Sequence, residues 1–117
     1  MIKQALSTLI ILASPAFADP ATVENVSVTK NGSGYTFNVT VLHTDTGWDD
    51  YVDVWRVKGM NGEVLGERQL AHPHVDEQPF TRSLSGVKIP AGVESVVIEA
   101  HDTVNGWSSN AKTVKLP

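Results

Sequence analysis

The chain has 117 residues, no cysteine and a formal net charge of −4. That length suits one domain with little surplus. The acidic balance argues against nucleic acid and anionic lipid as partners, and without disulfides the core must stabilise the fold unaided.

Residues 1–18 have the three-part order of a secretory leader. Lys3 and the amino terminus supply positive charge, Ala5 to Ala13 is apolar, and Ser14-Pro15 breaks the run before Ala16-Phe17-Ala18. An apolar run of about nine residues is too short to span a bilayer, which takes about 20. No cysteine follows it, so the pattern predicts a signal peptide cleaved after Ala18, with no lipid attachment there and no membrane anchor in the mature form. The expected location is periplasmic or secreted, and the short leader with its AFA ending looks bacterial. The expected domain is 19–117: 99 residues with eight basic and 13 acidic side chains, a balance of −5.

Beyond the leader, alternation with a period of two dominates. Val26 and Val28, then Tyr35, Phe37, Val39 and Val41, then Val96, Ile98 and Ala100 recur at every second position. Tyr51 to Lys58 is rich in β-branched and aromatic residues, and Val114 and Leu116 close the chain. Such spacing predicts strands, and turn signals separate them, with Asn61-Gly62 the strongest hairpin signal. Seven strands are expected, over 22–30, 34–43, 51–59, 63–70, 80–87, 94–102 and 107–116. Seven short strands with regular turns predict an all-β fold, a single seven-stranded Greek-key sandwich.

Trp55 in the third strand, the run Val96-Val97-Ile98-Glu99-Ala100 in the sixth, and Asn105-Gly106 after it carry a resemblance. The domain resembles the immunoglobulin-like and fibronectin-type-III-like sandwiches. The cysteine pair of antibody domains is missing, so a true immunoglobulin domain is not implied, and fold alone says little about function.

If successive strands run up and down, His43, His72, His74 and His101 all fall at one end of the sandwich. Imidazole is a common ligand for transition metals. His72-Pro73-His74 places two imidazoles on one side of an extended segment, and Pro73 stiffens it. The four histidines are therefore expected to bind one divalent ion, Cu(II) or Zn(II), since soft ligands are scarce. The protein would act as a carrier, buffer or sensor. Asp45, Asp49, Asp76, Glu77 and Asp102 are candidate alternative ligands or orienting groups. Against a metal role, His43 is in phase with Phe37, Val39 and Val41 and suits a capped core position, whereas His101 is out of phase with Val96, Ile98 and Ala100. Superoxide reductases also set four histidines on an immunoglobulin-like sandwich, around iron. They add a cysteine ligand that this chain lacks, so their activity is not implied. Small periplasmic copper carriers begin with a histidine, whereas the mature chain here would begin Asp19-Pro20.

A second expectation uses the same end differently. Trp48, Tyr51, Arg82 and Trp107 would contact an exported protein or a glycan, as a non-catalytic binding module. The stretch 72–83 packs two histidines, three acidic or amide side chains, Arg82 and two prolines into one connection, and it resembles small secreted bacterial proteins. Ser108 and Ser109 lie near His101 and Asp102, but no nucleophile elbow is present. Asp49-Asp50 and Asp76-Glu77 offer carboxylate pairs on a sandwich with little room for a cleft. No enzyme activity is expected.

Overall fold

In this computed structural model the described residues are 19–117, and the expected leader over 1–18 lies outside them. Eight strands form: β1 (Thr22–Asn31), β2 (Gly34–Leu42), β3 (Val52–Gly59), β4 (Val64–Gln69), β5 (Phe80–Val87), β6 (Ser95–Asp102), β7 (Gly106–Trp107) and β8 (Lys112–Lys115). They make two antiparallel sheets packed as a sandwich. One has the order β1-β2-β5, and the other has the order β4-β3-β6-β7, with β8 also paired to β6. The chain crosses between sheets from β2 to β3, from β4 to β5 and from β5 to β6. Among the described residues no helix is long and apolar enough to cross a membrane.

The strands follow the sequence alternation closely. Phe37, Val39 and Val41 of β2 are fully buried, as are Trp55 and Val57 of β3, and Val96, Ile98 and Ala100 of β6. Phe80 and Val87 of β5 join them in one core. Successive side chains of a strand point to opposite faces, so each alternate residue is committed to the core or to the outer surface. The Asn61-Gly62 signal produces the β3–β4 turn. There Gly62 has φ 91°, a conformation that glycine adopts without steric cost, and its amide donates to the Gly59 carbonyl.

The expected seventh strand, 107–116, is two short strands. After Trp107 the chain leaves regular pairing because its polar groups bond elsewhere. The Asn110 amide donates to Ser108 Oγ at 3.0 Å, and the Asn110 carbonyl accepts from the Val23 amide of β1 at 3.0 Å. The Ser108 amide still donates to the Ala100 carbonyl. The excursion therefore ties the start of β1 to the far sheet before β8 resumes pairing.

One residue shows how completely the strand pleat governs stability. Phe37 has no exposed surface in the core, and Phe→Ala in such a site typically costs about 3–5 kcal/mol. Phe37→Ala is expected to lose that much in equilibrium denaturation with urea. A loss below about 1 kcal/mol would place Phe37 outside the tightly packed core.

Candidate metal centre

The pleat that buries the core continues past its apolar residues. In β2 the inward sequence Phe37, Val39, Val41 runs on into His43 and Asp45, each 3% exposed. In β6 the inward sequence Val96, Ile98, Ala100 ends in Asp102, which is fully buried. A short turn between β2 and β3, closed by bonds between Gly47 and Asp50 and between Thr46 and Asp50, turns Asp50 toward the same place.

His43, Asp50 and Asp102 meet there, with one donor atom from each lying within 4.8 Å of the others. His43 Nε2 is 3.5 Å from Asp50 Oδ1 and 3.6 Å from Asp102 Oδ2. Both separations are too long for hydrogen bonds. Nε2 and Asp50 Oδ1 are buried with no hydrogen-bond partner among the described residues. The side chains of His43 and Asp102 are 1% and 0% exposed. Buried polar atoms are normally paired, so this convergence of unpaired donor atoms needs a chemical explanation.

The other side of the imidazole is fixed. His43 Nδ1 lies 2.6 Å from Asp45 Oδ1. A carboxylate accepts, so Nδ1 carries a proton, and Nε2 is the ring nitrogen turned to Asp50 and Asp102. Asp45 is itself held, since Oδ1 accepts from the Val52 amide at 3.2 Å and Oδ2 from the His74 amide at 2.7 Å. Asp102 Oδ1 accepts from the Val104 amide at 2.8 Å, and Oδ2 accepts from the Asn105 side chain at 3.1 Å.

The other histidines lie away from that group, although the rings of His72 and His74 meet each other with centroids 4.7 Å apart. His101 is out of phase with the core and stands on the outer face of the larger sheet. Its Nδ1 lies 2.6 Å from Asp53 Oδ1, and its ring meets the edge of Trp107. His72 is exposed, and its Nδ1 bonds the Pro73 carbonyl. His74 is buried and stacks on Phe80, with ring centroids 4.1 Å apart. Arg82 donates to His74 Nε2 at 2.9 Å. A guanidinium can only donate, so that nitrogen carries no proton, and its positive charge disfavours a cation at the same atom. The four imidazoles are thus not brought to one centre. The group that forms contains one of them, His43.

The expected acids divide in the same way. Asp45 orients His43, and Asp102 supplies a donor. Asp49, Asp76 and Glu77 are exposed, and Glu77 pairs with Arg82 at 2.9 Å. Asp50 was not among the expected ligands. The Asp49-Asp50 pair signals acid at this point in the chain, but only the local turn determines which of the two faces inward. Of the expected partner-binding residues, Trp48 is 67% exposed and meets Tyr51 edge-on, whereas Trp107 lies beneath Arg56 at 3.6 Å.

No family model matches the chain, and no solved structure matches it. A protein of Halomicrobium mukohataei described as "Putative lipoprotein" is 40% identical over 83 residues, which cover 71% of this chain. The chain spans about 40% of the length of that relative.

Two outcomes follow from this geometry. Asp45→Ala leaves the His43 ring nitrogen and two backbone amides without their acceptor, and each buried donor so stranded costs about 1–3 kcal/mol. The variant is expected to lose several kcal/mol in urea denaturation, whereas Asp76→Ala at an exposed position should stay within about 0.5 kcal/mol of the parent. His74 gives a pH signature. Burial, then the charges of Arg82 and His72, hold its imidazole below the ordinary value of 6.5. On unfolding His74 regains its ordinary proton affinity, so below about pH 6.5 the unfolded chain binds more protons and stability falls with pH. The loss continues down to the lowered native value. The stability difference between pH 7.5 and pH 5.5 should be smaller in His74→Gln than in the parent, and an unchanged difference would contradict the assignment.

Proposed function

We propose that this chain is an exported, non-catalytic sandwich domain that holds one divalent transition metal, Zn(II) or Cu(II), at His43, Asp50 and Asp102. One observation carries the reading: the buried Nε2 of His43 has no hydrogen-bond partner and faces two carboxylate oxygens at 3.5 and 3.6 Å. A carboxylate on the far nitrogen, with two acids beyond the near one, forms the arrangement by which proteins orient a ligating histidine. A bound ion would also offset the charge of three acidic side chains gathered around one imidazole, a grouping that is costly to bury unpaired.

Export is supported by the leader pattern over 1–18 and by the lipoprotein name of the Halomicrobium mukohataei relative. Strand orders β1-β2-β5 and β4-β3-β6-β7 suit a fibronectin-type-III-like build. A second role at the same loop is favoured by Trp48. Its 67% exposure beside Tyr51 suits contact with an exported protein or a glycan.

Calorimetric titration tests the metal reading. His43→Ala should weaken Zn(II) or Cu(II) binding by more than the roughly 10–100-fold typical of losing an orienting neighbour. The double variant His72→Ala with His101→Ala should bind as the parent does. Loss of binding in the double variant alone would move the site to the exposed histidines. For export, mass spectrometry of protein recovered outside the cytoplasm should give a chain beginning at Asp19, and an intact Met1 would contradict it.

A further inference from the structure

Building on the metal-holding reading, we infer that the site takes a four-coordinate ion of the Zn(II) class, with His43, Asp50 and Asp102 as three donors and water as the fourth, and retains it as a staple between the β2–β3 loop and the end of β6, rather than passing it on as cargo. Donor spacing and donor chemistry select the ion together. A tetrahedral ion with bonds of about 2.1 Å sets its donors about 3.4 Å apart. The observed separations from His43 Nε2 are 3.5 and 3.6 Å, and the three donor atoms all lie within 4.8 Å of one another. Right-angled coordination at about 2.0–2.1 Å, as for Mg(II) or tetragonal Cu(II), needs adjacent donors only about 2.9 Å apart. Ca(II), with bonds of about 2.4 Å, would fit the spacing at right angles, but it takes six to eight oxygen ligands, and a buried imidazole nitrogen is the wrong donor for it.

Retention follows from how the donors are held. A carrier needs a ligand free to swing toward its recipient. Here His43 is fixed through Asp45, which is bound in turn to the amides of Val52 and His74. Asp102 is fixed by the Val104 amide and the Asn105 side chain. Asp50, with a side chain 15% exposed, is the most open of the three. Releasing the ion therefore requires opening the loop end of the sandwich.

Titration of the tag-free chain with Co(II), followed by displacement with Zn(II), tests this. The expected result is the intense visible absorption of four-coordinate Co(II), displaced by equimolar Zn(II) and unaffected by millimolar Ca(II) or Mg(II). Zn(II) should pass to a colorimetric chelator at least 100-fold more slowly from the folded chain than from the chain in urea. Asp50→Ala removes a donor with no other hydrogen-bonding duty on that oxygen, so it should abolish the four-coordinate spectrum while leaving the far-ultraviolet circular dichroism unchanged. Asp45→Asn should lower Zn(II) affinity about 10–100-fold as a positioning residue while leaving the Co(II) band positions in place. Weak six-coordinate Co(II) bands, or Zn(II) release at the same rate with and without urea, would overturn the staple while leaving metal holding intact. Failure of the folded parent to bind Co(II) and Zn(II) while binding Cu(II) would overturn this inference alone, and failure to bind any of the three would overturn the metal-holding reading itself.

Discussion

The carboxylate of Asp45 lies buried at the loop end of the sandwich and receives hydrogen bonds from three segments: the ring of His43, the amide of Val52 and the amide of His74. Those segments are the exit of β2, the start of β3 and the connection between β4 and β5. Each would otherwise place a buried donor without an acceptor. Gln78 reinforces the same junction, accepting from the His43 amide and donating to the His74 carbonyl. With Asp45 holding Nδ1, His43 turns its other ring nitrogen, Nε2, to Asp50 and Asp102. The geometry of the candidate centre therefore depends on a residue that is not itself one of the three donors.

Much of this was legible in the alternation of the chain. His43 is in phase with Phe37, Val39 and Val41, so a strand that buries those residues also buries His43, and Asp45 after it. Asp102 continues Val96, Ile98 and Ala100 in the same way. His101, one step out of phase, is sent to the outer face, where it pairs with Asp53. Strand phase alone thus separates His43 from His101. The expectation that all four histidines share one centre rested on which end of the sandwich they occupy, and an end has both an inside and an outside. His74 shows a different limit. Its burial against Phe80 and its bond to Arg82 join residues up to eight positions apart across a connection without regular pairing, and period alone cannot orient them. Asp50 was hidden for a related reason, since a four-residue closure between Gly47 and Asp50 determines which of two adjacent acids turns inward.

The outer face of the larger sheet is organised by charge rather than by ligation. Glu99 is flanked by Arg56 and Lys58 at 2.8 and 3.2 Å. Burial pushes its carboxyl up, but hydrogen bonds from Arg56 and then Lys58, with their charges, outweigh this and hold it below the ordinary value. Arg56 also covers the ring of Trp107, whose edge meets His101. These contacts satisfy His101 and Trp107 within the sheet and leave the loop end, with Trp48 at its tip, as the more open surface. Two of the candidate centre's three donors, His43 and Asp50, share the β2–β3 connection with the exposed Trp48, so an ion held there would also fix how Trp48 is presented.

The most direct measurement is a long-range proton–nitrogen NMR correlation of the histidine rings, recorded with and without one equivalent of Zn(II). The account predicts that His43 alone changes, with Nδ1 protonated throughout and Nε2 moving to the shift of a metal-bound nitrogen. A His43 ring that is unaffected by Zn(II), or the metal-bound shift appearing at His72 or His101 instead, would contradict it.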